Sequence, residues 1–307
     1  MKLLQHLIVF PAFLVLAACG GGGGGSSSGA TSGAVSNDIA SNASSSAQAS
    51  TSSVASLNEP EFQDLDNSGE GFGFLAGQVV RETLFTSAIT GVEYPVHIYL
   101  PPGYDDSQRR YPVIYALDGQ TLFPGLPYLL EDEGVEAILV AIAEGPDDRR
   151  RTDYLLPGAR DYFQFIVHEL IPFAEAGLRV DTSQRTIAGT SFGGVFAGLA
   201  LLMDDSVDPV FHNFFAFDAS FYQHPEQTEQ LEQNRYLASA QLNAKVFLSS
   251  ALPEGNDEFV TLFEASLAER NFNGLTVYRD RFQSTHGKIT EPSFRRAIGQ
   301  LWGNDAN

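Results

Sequence analysis

The 307-residue chain is poor in cysteine and in positive charge. Its single cysteine, Cys19, excludes an intramolecular disulfide, a cysteine-rich zinc site and an iron–sulfur cluster. Lysine and arginine together number 18 against 38 aspartates and glutamates, so the formal net charge is -20. A field of that sign repels phosphate backbones and anionic headgroups, and it argues against nucleic-acid binding and against a basic membrane patch.

A short apolar run follows Lys2 and predicts a secretory signal over residues 1–18. The run is too short and too polar at its start for a comfortable membrane-spanning helix. It ends in Leu16-Ala17-Ala18-Cys19, which resembles a bacterial lipobox, although an ordinary signal peptide with a chance cysteine is the alternative. We therefore expect a lipid on Cys19 that attaches the protein to a membrane of the bacterial cell envelope. Gly20, rather than an aspartate, favours the outer membrane or periplasm of a Gram-negative host.

The composition changes twice along the chain and predicts three segments. After the signal, residues 19–71 begin with the lipidated cysteine and are rich in glycine and serine, so they cannot bury apolar surface and are expected to form a flexible tether. Hydrophobic residues make up 43% of the chain, which is enough for a sizeable core. We expect that core in one domain over residues 72–307.

Residues 72–307 alternate between strand and helix patterns. Apolar, β-branched runs predict strands at 77–85, 94–100, 112–117, 137–143, 185–188, 214–217, 245–250 and 275–282. Helical spacing of apolar residues predicts helices at 162–176, 193–203, 258–271 and 292–302. The pattern indicates the α/β class, with an antiparallel opening and then a mostly parallel sheet covered by helices on both faces. Sites in such sheets form at the carboxyl ends of the strands.

One segment matches the Gly-x-Ser-x-Gly pattern of a nucleophile elbow in the right context. Gly189-Thr190-Ser191-Phe192-Gly193 follows a short predicted strand and precedes an apolar helix, whereas the same pattern at Gly25-Ser26-Ser27-Ser28-Gly29 lies in the tether and carries no meaning. Such a turn lifts the serine hydroxyl above the sheet edge, so Ser191 is the candidate nucleophile. A plain strand–helix turn that contains a serine is the alternative interpretation.

A serine hydroxyl needs a base, and His286 has the best position for one. It lies in the loop after the last predicted strand, where the chain order Ser, acid, His places the base of a hydrolase. The other histidines of residues 72–307 have ordinary structural interpretations in a strand, a helix or surface loops: His97, His168, His212 and His224.

The sequence offers candidates for the acid of the triad at the ends of two predicted strands. We favour Glu254, because it lies closest to the end of the predicted strand 245–250. Asp257 and Glu258 lie further along the same loop, and Asp218 at the end of the preceding strand is a second location. A carboxylate at such a position fixes the imidazole tautomer and stabilises the imidazolium.

Backbone N–H groups at two further points are candidates for an oxyanion hole. One belongs to Phe192, directly after the nucleophile. The other belongs to Gly119 or Gln120, in the loop after the third predicted strand. A simple turn at Asp118-Gly119 is an equally good interpretation of that loop.

Several segments, taken together, resemble the putative-esterase family of α/β-hydrolases, which includes esterase D and the enterochelin-esterase-like trilactone hydrolases. They follow in family order from Thr83 to Trp302: Tyr99-Leu100-Pro101-Pro102-Gly103-Tyr104, Tyr111-Pro112-Val113-Ile114-Tyr115-Ala116-Leu117-Asp118-Gly119-Gln120, Arg151-Thr152-Asp153-Tyr154-Leu155-Leu156-Pro157, Glu169-Leu170-Ile171-Pro172-Phe173, the segment around Ser191, and His286-Gly287. The resemblance implies an α/β-hydrolase fold and a serine carboxylic-ester hydrolase without cofactor or metal, with Ser191 as nucleophile and His286 as base.

The chain departs from the family pattern at two places. Thr190 stands where the family commonly has histidine or tyrosine, and Asp218-Ala219-Ser220 stands where many members have Ser-Pro-Ser. We therefore expect an ester substrate, either a small molecule or a group linked to polysaccharide, without a choice between them. A non-catalytic, ligand-binding surface lipoprotein with the same fold and an acyltransferase using the same triad are the alternatives.

Overall fold

The computed structural model describes residues 75–123 and 125–303. The predicted signal, Cys19 and the predicted tether lie outside the described residues. Within the two described segments, no helix combines the length and the apolar character that crossing a membrane would require.

Eight strands form one mixed sheet. They are β1 (Gln78–Thr86), β2 (Glu93–Leu100), β3 (Tyr111–Ala116), β4 (Ile138–Ile142), β5 (Val180–Thr190), β6 (Asn213–Phe217), β7 (Gln241–Glu254) and β8 (Asn273–Thr285). Their order across the sheet is β1-β2-β4-β3-β5-β6-β7-β8. The pairs β1–β2 and β2–β4 are antiparallel, and the remaining pairs are parallel. The carboxyl ends of β3, β5 and β6 therefore lie next to one another at one edge, where a site is expected.

Helices cover both faces of the sheet. They are α1 (Gly119–Leu122), α2 (Leu126–Asp132), α3 (Arg150–Asp153), α4 (Ala159–Phe165), α5 (Ile171–Ala174), α6 (Phe192–Met203), α7 (Pro225–Ala238), α8 (Asp257–Arg270) and α9 (Thr290–Trp302). A π-helical turn (Ile166–Leu170) joins α4 to α5, and a 3-10 turn (His286–Lys288) precedes α9. Helices α4, α6 and α8 pack on one face, while α2 and α9 pack on the other. Because both faces are covered, every residue of β4 and β6 is buried.

The predicted fold class is confirmed, and each predicted strand has a counterpart. The antiparallel opening and the parallel remainder are both present. The predictions missed α7, because its sequence is rich in Glu and Gln and has no continuous apolar stripe. Its few buried side chains include the polar Thr228 and Glu232, a pattern that periodicity does not reveal.

Strands β7 and β8 extend beyond the apolar runs from which they were predicted, so the chain leaves the sheet later than expected. Strand β7 continues past residue 250 to Glu254, and β8 continues to Thr285. These extensions pair with each other in register, Glu254 opposite Thr285, and form a ribbon that projects beyond the end of β6. The predicted loop at 251–254 is therefore strand.

Candidate active site

Ser191 lies at a sharp turn between β5 and α6. Its φ and ψ angles are 59° and -119°, a region that a non-glycine residue occupies only under strain. The turn is tight because the strand and the helix touch: a Cβ added to Gly189 would lie 2.3 Å from the carbonyl carbon of Gly193. Gly194 is equally constrained, since its Cβ would lie 2.8 Å from the Phe217 carbonyl oxygen. Glycine at these positions is what allows the elbow to form.

The ring of His286 faces the Ser191 hydroxyl. His286 follows β8 directly and begins the 3-10 turn before α9. Its Nε2 lies 3.0 Å from Ser191 Oγ, which is hydrogen-bond distance. The serine is 3% exposed, while the histidine side chain is 26% exposed, so the pair opens to solvent on the histidine side. The structure thus brings together the two residues that the sequence singled out, 95 positions apart.

The carboxylate that contacts this histidine belongs to Asp218. Its Oδ2 lies 2.7 Å from His286 Nδ1, and its side chain is completely buried. The other oxygen, Oδ1, accepts hydrogen bonds from the N–H groups of Ala251 at 3.1 Å and of Asn256 at 2.9 Å. A buried carboxylate held by two backbone donors cannot rotate freely, so it fixes the orientation of the imidazole.

Our preference for Glu254 as the acid is wrong. Because β7 continues to residue 254, Glu254 ends the projecting β7–β8 ribbon and is exposed to solvent instead of facing the imidazole. Asp218 follows β6, the immediate neighbour of β5, and its backbone N–H donates to the Ser249 carbonyl of β7 at 2.9 Å. The short strand β6 beside Ser191 therefore places a carboxylate next to the imidazole, whereas the longer β7 ends with its glutamate beyond the site.

The two other candidate carboxylates, Asp257 and Glu258, have different surroundings from Asp218. Asp257 accepts hydrogen bonds from Ser250 and Arg279 at 2.5 Å and from Arg281 at 2.8 Å. Although burial opposes it, hydrogen bonds from Ser250 and Arg281 and the two arginine charges lower the pKa of Asp257. Glu258, the next residue of α8, is exposed.

Two polar residues that sequence reasoning missed complete the network. Ser220 Oγ lies 3.3 Å from Ser191 Oγ, and the Ser220 N–H donates to the Ser191 carbonyl at 3.2 Å. The amide Nδ2 of Asn256 donates to the Asp218 carbonyl at 2.8 Å and to Ser220 Oγ at 3.2 Å, and it lies 3.5 Å from His286 Nδ1. The only signal in the sequence was that Ser220 belongs to the stretch that departs from the family pattern.

The candidate oxyanion donors lie on two adjoining helix starts. Phe192 opens α6, and Gly119 and Gln120 open α1, which two residues separate from the end of β3. N–H groups in the first turn of a helix have no acceptor within the helix, so they point at the space in front of it. A Cβ on Gly193 would lie 3.2 Å from Asp118 Oδ2, which shows that the two helix starts pack against each other.

A buried ion pair supports the loop after β3. Arg150 Nε donates to Asp118 Oδ1 at 2.7 Å, and the two side chains are 7% and 0% exposed. The guanidinium carbon of Arg150 also lies 5.7 Å from the ring centre of Phe192, and that of Arg151 lies 5.3 Å from it. Two residues of the Arg151-Thr152-Asp153-Tyr154 segment therefore adjoin the candidate oxyanion donors, since Arg151 lies by the Phe192 ring and the Tyr154 hydroxyl accepts the Asp118 N–H at 3.4 Å.

The other four histidines of the described segments lie away from this cluster. They are His97 in β2, His168 in the π-helical turn, His212 before β6 and His224 before α7. The ring of His97, for example, stacks on Phe123 with centroids 4.6 Å apart. The contacts of His286 are thus the ones that form a serine–histidine–aspartate chain, the arrangement that activates a hydroxyl for attack on a carbonyl carbon.

A protein-family comparison matches the part of the chain that contains the elbow. The model of the esterase family, described as "Putative esterase", matches residues 87–206. The matched range contains the elbow and ends before Asp218 and His286. The match covers less than half of the chain and is to a family of ester hydrolases. The relatives include a siderophore esterase, and solved structures share the α/β-hydrolase fold.

Among the relatives that this chain resembles is the ferri-bacillibactin esterase BesA of Bacillus subtilis. It is 28% identical over 138 residues, which cover 34% of this chain and 48% of BesA. The chain thus matches about half the length of that relative. The uncharacterised protein YbbA of the same organism is 26% identical over 181 residues, covering 52% of this chain and 69% of YbbA.

Solved structures share the fold at lower identity. An IroE-like serine hydrolase from Shewanella oneidensis superposes with a TM-score of 0.64 at 23% identity, covering 73% of this chain and 80% of that one. The siderophore hydrolase EstB from Aspergillus nidulans superposes with a TM-score of 0.61 at 17% identity, covering 77% and 98%. At these identities the two structures establish the α/β-hydrolase fold.

Proposed function

We propose that this protein is a serine carboxylic-ester hydrolase that works through an acyl-enzyme. The observation that carries the proposal is the chain of contacts from Ser191 Oγ to His286 Nε2 at 3.0 Å and from His286 Nδ1 to Asp218 Oδ2 at 2.7 Å. Ser191 attacks the ester carbonyl while His286 accepts the hydroxyl proton. The Asp218 carboxylate holds the ring and stabilises the imidazolium that forms.

The second half of the reaction returns the enzyme to its starting state. The imidazolium of His286 gives its proton to the leaving alcohol, and water then attacks the acyl-serine with the same histidine as base. The N–H groups of Phe192 and of Gly119 or Gln120 are proposed to hold the oxyanion in both steps. A single such donor typically contributes about 3 kcal/mol to transition-state stabilisation.

The central test is the nucleophile. Ser191→Ala should lower ester hydrolysis by about 10³-fold or more, because the residual rate then comes only from binding and the oxyanion donors. A fluorophosphonate probe should label the wild type and leave the variant unlabelled. Ser183→Ala is the matched control, since Ser183 lies on the same strand but near its opposite end. Equal rates for wild type and Ser191→Ala would refute the proposal, and labelling with transfer of acyl groups to added alcohols would identify an acyltransferase.

The relatives guide the choice of substrates to assay. BesA is by name an esterase of ferri-bacillibactin, and EstB is by name a siderophore hydrolase, so siderophore esters are one class to test. Feruloyl esters and acetylated sugars represent the small-molecule and polysaccharide-linked esters that the sequence leaves open. A panel of the three classes, compared by kcat/KM, distinguishes them.

The proposal extends to the cell envelope. The lipobox-like segment ending at Cys19 supports a lipid anchor, with the esterase held at the outer membrane or in the periplasm by the 19–71 segment. In a Gram-negative host, Cys19→Ser should move the protein from the membrane fraction to the soluble fraction and abolish palmitate labelling. Labelling that persists in this variant would contradict the lipid assignment.

A further inference from the structure

A groove runs between α7 and α8, beside the catalytic cluster. It has a volume of about 700 Å³, which lies within the range of small-molecule sites. Phe221 and Phe263 form its floor as a stacked pair with centroids 4.0 Å apart. Tyr222 and Phe259, with centroids 5.1 Å apart, form an aromatic rim that is partly open to solvent.

The groove begins within one helical turn of the proposed triad. Ser220, 3.3 Å from the nucleophile oxygen, is two residues before Tyr222, and two Cα steps span at most about 7.6 Å. Asn256, 3.5 Å from His286 Nδ1, is three residues before Phe259, which is about 5 Å along the helix. Both walls of the groove therefore start at residues that touch the catalytic side chains.

The far end of the groove is acidic. Glu229, Glu269 and the ion-paired Glu232 line it together with Arg270, whose Nε donates to Glu232 at 3.2 Å. Glu229 and Glu269 are exposed, so their charges act on whatever enters. From Phe259 to Arg270 the helix rises about 16 Å, so an occupant longer than a single ring reaches these carboxylates.

We propose that this groove binds an aromatic ring of the ester substrate, and that its carboxylates select rings with neutral or cationic substituents over anionic ones. The proposal rests on the esterase function above and adds the substrate class. Aromatic rings stack favourably on the edge and face of Tyr222 and Phe259. An anionic substituent at the far end would lie among three carboxylates and one guanidinium, so it is repelled.

The test compares two pairs of esters, and the members of each pair differ only by a phenyl group in place of a methyl group. Methyl 3-phenylpropanoate is paired with methyl butanoate, and benzyl acetate with ethyl acetate, with the released acid measured by pH-stat titration. We expect the aromatic member of at least one pair to have a kcat/KM about tenfold higher. In that pair, an aminomethyl group on the ring should give a kcat/KM about tenfold above that of a carboxyl group at the same position.

Substitutions in the groove test whether the preferences for aromatic and for cationic rings arise there. Leu262→Trp fills the groove from an exposed position on α8 and should reduce the aromatic-to-aliphatic ratio of kcat/KM about tenfold. The double change Glu229→Gln and Glu269→Gln should remove the discrimination between cationic and anionic rings. Leu237→Ala is the control, because Leu237 lies on α7, is 73% exposed and does not line the groove.

The outcomes separate this inference from the esterase function itself. Hydrolysis of the aliphatic esters that depends on Ser191 supports the function whatever the groove does. If such hydrolysis occurs, but both aromatic pairs show ratios near one or Leu262→Trp behaves like Leu237→Ala, the groove assignment is overturned. If wild type and Ser191→Ala hydrolyse every one of these esters at the same rate, the proposed function itself is refuted.

Discussion

Three residues at the carboxyl edge of the sheet, Asp118, Ser191 and Asp218, have positive φ angles of 56°, 59° and 41°. Ser191 and Asp218 follow a strand directly, and Asp118 follows one after Leu117. Each carries a side chain of the candidate site: the candidate nucleophile, the carboxylate beside His286 and the partner of Arg150. Non-glycine residues are held in this region only when the surroundings determine their conformation. Here close backbone packing and buried hydrogen bonds provide that restraint.

A pair of substitutions at this scale tests which carboxylate acts. Asp218→Asn should lower kcat by about 10³- to 10⁴-fold with little change in KM, because the amide no longer holds the imidazole in the tautomer that accepts the serine proton. Glu254→Gln, which alters an exposed side chain at the end of β7, should leave kcat within about twofold. Steady-state kinetics on one ester decide the matter. A larger loss for Glu254→Gln than for Asp218→Asn would contradict the assignment from the structure.

At the scale of elements, the lengths of the strands and the positions of the helices determine which side chains meet at the candidate site. Strand β6 stops at Phe217 and leaves Asp218 at the edge, whereas β7 and β8 continue together as a ribbon. Helix α6 packs against the end of β5 so closely that no side chain fits at Gly189. Helix α8 starts at the loop that holds Asp218 and forms one wall of the groove.

The contact between β5 and α6 predicts the effect of a single methyl group. Gly189→Ala should lower the free energy of unfolding by about 2 kcal/mol, since its Cβ would lie 2.3 Å from a backbone carbon that cannot move independently of the elbow. Activity should fall as well, because any relaxation displaces Ser191. Urea denaturation measures the stability. Gly299→Ala in α9 is the control. Its added Cβ would have no neighbouring atom within 4 Å, so this change should not destabilise the protein.

The ion pairs of Asp257 at the start of α8 should make the free energy of unfolding depend on pH. The pKa of Asp257 is lower in the folded protein than in the unfolded chain, so its contribution is complete above the unfolded pKa of about 3.9 and is lost as the pH falls. Asp257→Asn should therefore reduce the free energy of unfolding by about 1 kcal/mol at pH 7, with a smaller difference near pH 3.5. Urea denaturation at both values gives the comparison. Glu258→Gln serves as the control, and a difference for Asp257→Asn that grows on acidification would be the opposite of this prediction.

At the scale of the whole molecule, the net charge of -20 creates a field that acts on substrates before they bind. The groove beside the site is lined by carboxylates on α7 and α8, so it shares the sign of the whole protein. This charge favours the approach of cationic esters over anionic ones.

That field predicts a salt dependence that differs between substrates. For an ester with a cationic ring, kcat/KM should fall several-fold as salt rises from about 10 mM to about 500 mM, because the Debye length shortens and the attraction is screened. The uncharged phenylpropanoate ester should change by less than about twofold over the same range. Initial rates at low substrate concentration give both values. Equal salt effects on the two esters would show that long-range attraction does not contribute.

The sequence by itself determined the alternation of strands and helices, the elbow at Ser191 and the position of His286, because apolar periodicity, glycine spacing and chain order are local or sequential properties. It did not determine the acid, the helix α7 or the network of Ser220 and Asn256. Those depend on where β6 stops relative to β7, and hydrogen bonds between strands set that difference beyond the apolar runs that the sequence displays. The groove likewise exists only because α7, a helix without an apolar stripe, packs beside α8, and such contacts between distant segments are decided by the tertiary structure.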